Sequence, residues 1–301
     1  MNVNPLRARK LRFGEWALNQ FFLLCALLSV GTTAAVIVIL AVETISFFGE
    51  VSPTDFLFGT RWTPLLEPKH YGILPLLSGT FLIVVGSSLV ALPIGVACAV
   101  YLSEYAGERT RSVVKPVLEV LAGIPTVVYG YFALTTVTPV LRTIFPDTQI
   151  FNAASAAIVV GIMVLPMVAS LCDDALRSVP DSLRQGAYSL GATSFEVSAR
   201  VVIPAALSGI FAAFVLAVSR AIGETMAVTL AAGATPNLTL NPLESIQTMT
   251  AYIVQVSLGD TPAGELTYKT LFAVASVLFI LTLVLNLIAS RVMSKYQEVY
   301  E

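Results

Sequence analysis

The sequence predicts an all-α membrane protein with six transmembrane helices and both termini in the cytoplasm. Three observations lead to this fold class. Of 301 residues, 56% are hydrophobic and 12% are charged, about half the charged share of a soluble domain. Six largely uncharged stretches reach the length of about 20 residues that a helix needs to cross the hydrocarbon core. The basic residues lie mainly on one side of these stretches, as is typical of cytoplasmic loops.

The six stretches follow one another along most of the chain. The first follows a basic segment, as the apolar region of a cleavable signal peptide does. Its length favours a retained span, because the apolar region of a signal peptide has about 7–15 residues. The fifth stretch differs from the others because it contains two ionisable residues, Arg220 and Glu224. The stretches lie at 16–42, 71–102, 119–142, 147–173, 201–232 and 269–291.

Two connecting segments are long. The segment at 43–70 is rich in aromatic and turn residues, which predicts a helix or loop at the membrane interface. The segment between the fifth and sixth stretches begins as a polar loop and ends apolar, which predicts a short re-entrant or interfacial helix.

The placement of lysine and arginine predicts the orientation. Twelve of these residues lie on one side of the stretches and four on the other, and an excess of basic residues marks the cytoplasmic side. We therefore expect a cytoplasmic tail at 1–15, a transmembrane domain at 16–290 and a second cytoplasmic tail at 291–301. The twelve are Arg7, Arg9, Lys10, Arg12, Arg109, Arg111, Lys115, Arg177, Arg184, Arg200, Arg291 and Lys295, and the four are Arg61, Lys69, Arg142 and Lys269.

Several kinds of chemistry are absent from the sequence. The three cysteines are far apart and the single histidine, His70, lies in a connecting segment, so no metal site, cofactor or disulfide is expected. No Ser/His or paired-carboxylate arrangement points to an enzyme. No lysine follows a glycine, so the chain has no phosphate-binding loop for ATP.

The segment 173–204 is predicted to be a structured cytoplasmic loop. A helix is expected after Pro180, with Ser182 as its cap and Leu183, Ala187 and Leu190 on one face. Gly191 is expected to end this helix, and Ser194 to begin another. An apolar face on such a loop predicts a docking surface. Periodicity alone leaves open the alternative that the loop packs under its own bundle.

The end of this loop, QGAYSLGATSFEVSARVVIP, resembles the coupling signature of ATP-binding-cassette (ABC) importer permeases. That signature reads Glu-Ala-Ala, three residues, Gly, nine residues, then Ile-x-Leu-Pro. The spacing matches throughout, with glutamine in place of the acidic residue and glycine in place of the first alanine. The residues that the resemblance assigns to ATPase coupling are Gln185, Gly186, Ala187, Gly191, Val201, Ile203 and Pro204.

Further segments resemble one branch of these permeases. FGTRWTP, HYGILPLLSGTF, LEVLAGIPTVVYGYFAL and SRAIGETMAV are similar to the PstC-type permease subunit of bacterial phosphate importers. The resemblance implies a type I ABC importer permease fold in the bacterial cytoplasmic (inner) membrane. It implies as partners a related PstA-type permease in a heterodimer, two copies of a cytoplasmic PstB-type ATP-binding subunit, and an external PstS-type phosphate-binding protein. The alternatives are a sulfate or molybdate importer permease and a gradient-driven anion transporter or channel.

Arg220 and Glu224 are the predicted centre of the substrate path, together with Gly223 and Thr225. An ionised side chain in the membrane costs about 2.5–3.5 kcal/mol on insertion scales, so such residues face the protein interior. At a spacing of four on a helix the two can pair, on a side that also holds Gly223 and Ala227. The arginine fork suits two phosphate oxygens, and Glu224 is expected to hold it when phosphate is absent. The alternative is a purely structural ion pair.

Overall fold

The computed structural model describes the backbone at 5–259, 261–262 and 264–296, and side chains from 14 to 291 apart from 260 and 263. Within this part of the chain the regular structure is helical, apart from one bridge between Trp62 and Tyr71. The predicted all-α class is confirmed. The helices are α1 (Pro5–Phe48), α2 (Pro53–Phe58), α3 (Leu74–Val100), α4 (Glu108–Ala122), α5 (Thr126–Phe132), α6 (Thr138–Ile144), α7 (Ala153–Arg177), α8 (Asp181–Ser189), α9 (Ser194–Val197), α10 (Ile203–Ala205), α11 (Leu207–Ile222), α12 (Met226–Ala232), α13 (Met249–Leu258) and α14 (Leu266–Tyr296).

Five helical stretches in the described chain are long and apolar enough to cross a membrane, and a bent pair brings the number to six. The bent pair joins 194–205 to α11 at an angle of 68°. The third predicted stretch begins late, because the chain leaves α4 at Gly123 and re-enters a helix only after Pro125. The five stretches are Gly14–Phe48, Leu74–Tyr105, Thr126–Ile144, Ala153–Arg177 and Leu266–Arg291.

The prediction of one continuous helix over 201–232 is wrong. The chain bends at Ala206, and α11 stops at Ile222, so three residues separate it from α12. In this gap the Glu224 carboxylate and the Thr225 hydroxyl bond to nearby backbone groups. Such local side-chain bonds compete with the helix for the same groups.

The helices α3 and α7 form the centre of the bundle, and glycines allow them to approach closely. A Cβ added at Gly95 of α3 would lie 2.6 Å from Val168 Cγ1, and one added at Gly161 of α7 would lie 2.7 Å from Val90 Cβ. Lipid offers no hydrophobic gain for helix association, so small residues that permit close packing hold membrane helices together.

The first helix lies at the edge of this bundle. The apolar window of α1 has none of its residues buried, and near its end it contacts α14, where the Thr44 hydroxyl bonds the Phe272 carbonyl (3.1 Å) and the Ser276 hydroxyl (2.7 Å). Most of α1 is therefore left to contact lipid or another chain.

Residues 47–73 and α13 form a packed cluster that we call the aromatic cap. Phe47, Phe56, Trp62 and Tyr252 are each at most 2% exposed. The ring of Trp62 lies edge-to-face on Tyr252 with a centroid distance of 4.9 Å. The predicted short helix after the polar loop is present as α13. The cap lies at the start of α3, and the 173–204 loop contacts the π-helical turn Tyr101–Tyr105 that follows α3, so α3 separates these two regions.

Candidate functional site

Arg220 and Glu224 do not form the predicted ion pair. Arg220 lies on the last turn of α11 and is exposed, whereas Glu224 follows the end of that helix and is 8% exposed. The Glu224 carboxylate accepts a hydrogen bond from the Ala227 N–H (3.1 Å), and no ion pair joins it to Arg220. The pairing required an unbroken helix, and α11 ends between the two residues.

Gly223, Glu224 and Thr225 form the break between α11 and α12. The Glu224 carboxylate lies at the N-terminus of α12, where a negative charge is favourable and an N–H needs an acceptor. The carbonyl of Glu224 accepts from the Thr250 hydroxyl (2.8 Å), and the Thr225 hydroxyl donates to the Gly223 carbonyl (3.1 Å). Irregular backbone is tolerated at membrane depth only where such partners exist.

Arg220 lies on an exposed face of α11 in the described chain. Leu216 is 51% exposed, Met226 is 41% exposed, and Gly223 is exposed as well. The prediction that Ala227 shares this side is wrong, because Ala227 is 1% exposed and its Cα would lie 3.0 Å from a Cβ at Gly130 of α5. A guanidinium is costly against lipid, so this face must border another protein chain or water.

The 173–204 loop folds largely as predicted. α8 ends at Ser189, and Gly191 adopts a positive φ of 84°, which a residue with a Cβ rarely does. The prediction that Ser182 caps this helix is wrong. The first residue of α8 is Asp181, and Pro180 before it makes no side-chain cap. α9 begins with a capping box in which Thr193 and Glu196 bond each other's backbone.

The alternative that the loop packs under its own bundle is confirmed in part, and the docking surface stays a prediction. Leu183 and Ala187 pack against the buried core of the bundle. Leu190 is 90% exposed and Phe195 is 72% exposed, and Tyr188 in the same loop is 48% exposed. The loop is therefore anchored on one side and presents an apolar surface on the other. Of the residues assigned to coupling, Gln185, Gly186, Gly191 and Pro204 are exposed and Ala187, Val201 and Ile203 are partly buried.

Arg184 anchors this loop, a role that sequence reasoning missed. Its Nη2 donates to Glu104 Oε1 (3.1 Å) and to the Leu176 carbonyl (2.8 Å), and its Nη1 donates to the Val179 carbonyl (2.6 Å). The side chains of Arg184 and Glu104 are 15% and 8% exposed. Glu104 lies 80 residues away in sequence, so no local pattern could reveal the contact.

We expect Arg184→Gln to destabilise the chain, because it leaves the Glu104 carboxylate buried without its cation. The cost is about 2–3 kcal/mol, in the range of hydrogen bonds to charged groups. Thermal unfolding of the purified complex measures it. Arg200→Gln is the matched control, because Arg200 is 80% exposed and 3.8 Å from Glu196, and it should shift the melting temperature far less. Equal shifts for the two variants would remove the anchoring role.

A second charge cluster joins α4 to α7. Asp173 is 1% exposed and lies 2.7 Å from Arg111, 3.7 Å from Lys115 and 3.4 Å from Arg177. Across the described residues, no group of three or more histidine, cysteine and acidic side chains is placed to hold a metal ion. The charges at this end of α7 thus form ion pairs.

Comparison with known proteins gives consistent matches over most of the chain. The family described as "Binding-protein-dependent transport system inner membrane component" matches residues 91–296. The probable ABC transporter permease protein YqgH of Bacillus subtilis is 34% identical over 273 residues, which are 90% of this chain and 88% of the relative. The phosphate transport system permease protein PstC of Mesorhizobium japonicum is 32% identical over 78% of this chain and 76% of the relative.

Solved structures are similar in fold. A chain of a bacterial alginate ABC transporter, solved in complex with its alginate pentasaccharide-bound periplasmic protein, superposes with a TM-score of 0.65 at 17% identity. The superposition covers 93% of this chain and 94% of the other. At this identity the likeness supports the fold alone.

Proposed function

Because the chain belongs to the family of binding-protein-dependent transport system inner membrane components, we propose that it is the permease subunit of an ATP-driven importer of inorganic phosphate. Membership in this family establishes the general role of the chain. The chain is a multi-pass membrane component of an ABC importer with the type I permease fold. ATP is hydrolysed by a separate subunit, and a substrate-binding protein supplies the cargo.

The single structural observation that supports an oxyanion substrate is Arg220, and the choice of phosphate among oxyanions is supported by the PstC relatives. Arg220 is the basic residue on an otherwise apolar exposed face of α11, and it makes no ion pair with Glu224. A guanidinium stays charged at any accessible pH and offers paired donors to two oxygens of a tetrahedral anion. The resemblance to PstC proteins, the phosphate permeases among the relatives, supports the same substrate.

We propose that the Arg220 face borders the substrate path together with a second, PstA-type permease. The face is exposed in one chain and cannot lie against lipid without a large cost, so a second permease that encloses a water-filled path would satisfy it. Gly223 and Thr225 lie beside Arg220 at the break and would line the same path. Contact with the path must stay weak enough for phosphate to leave.

In this proposal Glu224 does not hold the side chain of Arg220. Its carboxylate is occupied by the Ala227 N–H, and its carbonyl by Thr250. Glu224 therefore stabilises the break between α11 and α12, next to the exposed Arg220 face. Its carboxylate does not compete with phosphate for Arg220.

We propose further that the exposed apolar surface of the 173–204 loop receives a PstB-type ATPase. Leu190 and Phe195 would be costly in water unless a partner covers them. One such loop on each of two permeases would seat two ATPase copies. This arrangement requires the loop and both termini to lie in the cytoplasm, and a PstS-type phosphate-binding protein to dock at the opposite end.

Isolation of the intact complex followed by an ATPase assay in vesicles tests this function. We expect an ATPase subunit to copurify, and its ATP hydrolysis to rise when the phosphate-loaded binding protein is added. Stimulation by the sulfate- or molybdate-loaded protein in place of phosphate would overturn the substrate. Phosphate transport by this chain without any nucleotide would instead favour a gradient-driven transporter or channel.

A further inference from the structure

The short helix α12 is held at both ends by one segment, residues 245–250. At its C-terminal end, the Ala232 carbonyl accepts hydrogen bonds from the Ile246 N–H (3.1 Å) and the Ser245 hydroxyl (3.0 Å). At its N-terminal end, the Glu224 carbonyl accepts from the Thr250 hydroxyl (2.8 Å). Because α12 has only seven residues, contacts from outside the helix help to fix its position, and these bonds act together with the bond from the Asn152 N–H to the Ala231 carbonyl (3.0 Å).

The bond from Thr250 is made in a buried environment. Thr250 is 6% exposed and Glu224 is 8% exposed. A buried carbonyl needs a donor, and the break at 223–225 removes Glu224 from the regular hydrogen-bond ladder of either helix. The threonine hydroxyl supplies that donor from a different part of the chain, 26 residues away.

The 245–250 segment is itself fixed to the rest of the molecule. The Met249 N–H donates to the Thr80 hydroxyl of α3 (3.1 Å), and a Cβ at Gly79 would lie 2.5 Å from the Gln247 carbonyl oxygen. Two residues after Thr250, Tyr252 packs on Trp62 of the aromatic cap. The position of Thr250 is thus set by contacts with α3 and with the aromatic cap, and its hydroxyl bonds the backbone of the break.

We propose that Thr250 is a positioning residue for the substrate path, whose hydrogen bond to Glu224 sets the geometry of the break and thereby the place of Arg220. The inference rests on the proposed function of Arg220. Arg220 lies on the last turn of α11, just before the break. The three residues of the break set the direction in which the chain continues into α12. Through the 245–250 segment, contacts with the aromatic cap hold this turn in place.

Three variants of α13 separate the hydrogen bond from general packing. Thr250→Val keeps the shape of the side chain and removes the donor, whereas Thr250→Ser keeps the donor. Ser257→Ala is the matched control, because Ser257 bonds the Ile253 carbonyl (2.7 Å) within α13 and is exposed. All are made in the complete complex in proteoliposomes.

The first readout does not depend on the substrate. Met226, the first residue of α12, is 41% exposed, so Met226→Cys in a chain whose three cysteines are replaced by alanine reports the position of the break. We expect Thr250→Val to change the rate of thiol modification at position 226 about fivefold or more, since a buried bond is lost. Thr250→Ser and Ser257→Ala should change this rate less than about twofold.

The second readout is phosphate uptake, in which we expect Thr250→Val to lower the maximal rate about tenfold while Thr250→Ser rescues it. Unchanged thiol reactivity and uptake in Thr250→Val would overturn the positioning role. A Thr250→Val complex that no longer assembles would assign Thr250 to stability and overturn it as well. Altered thiol reactivity in Thr250→Val, together with normal uptake in Arg220→Gln, would uphold the positioning of the break and reject the proposed function of Arg220.

Discussion

Replacement of Arg220 by glutamine is expected to lower phosphate uptake about 100-fold while leaving the complex assembled, since hydrogen bonds to charged groups contribute about 1.5–3 kcal/mol each. The variant loses the fixed positive charge and the paired donors that a tetrahedral oxyanion needs. Assembly should be spared because Arg220 has no ion pair with Glu224 and, in the proposed arrangement, faces the water-filled path. Initial rates of radiolabelled phosphate uptake into proteoliposomes, normalised to the amount of complex, measure the effect.

Two variants serve as controls for that result. Arg142→Gln removes another arginine from the last turn of a membrane helix, α6, and uptake should stay near that of the unaltered chain. Arg220→Lys keeps the charge and loses the planar fork, so an intermediate rate is expected. Near-normal uptake by Arg220→Gln would remove this residue from the substrate path.

Introduction of aspartate at both Leu190 and Phe195 is expected to abolish binding of the ATPase subunit. These side chains are 90% and 72% exposed and form the apolar surface of the loop. Covering two large apolar side chains contributes about 1.5–3 kcal/mol each, and two buried carboxylates would oppose binding further. Copurification of the ATPase with the permease measures the loss.

A substitution to aspartate far from the 173–204 loop provides the control for this variant. Leu240 is 78% exposed and lies in the loop before α13, so Leu240→Asp should leave ATPase binding intact. Retention of the ATPase by the doubly substituted loop would contradict the proposed docking surface.

The fold was largely predictable, because membrane crossing places a strong demand on composition. Apolar stretches of the required length give the spans, and Gly191 gives the turn that ends α8. The break at 223–225 was not predicted, because an arginine and a glutamate four residues apart are a favourable pair on a continuous helix. Its local signal is a glycine followed by two polar residues within an otherwise apolar run.

Of the candidate site residues, Arg220 has the clearest signal in the sequence, and its place on a substrate path stays a prediction. An arginine in an apolar stretch is exceptional, so the sequence by itself singles out Arg220. Thr250 and Arg184 could not be found this way, because their partners lie 26 and 80 residues away. A threonine or arginine near a loop is ordinary in sequence, and the fold alone determines which carbonyl or carboxylate it meets.

The central claim is that this chain passes phosphate through the membrane at the expense of ATP hydrolysed by a partner. Proteoliposomes that contain the complete complex, with ATP on the side of the ATPase and the binding protein on the opposite side, allow phosphate and sulfate transport to be measured side by side. We predict transport of phosphate over sulfate, and only when ATP is present. Equal or greater transport of sulfate, or phosphate transport without ATP, would contradict the account.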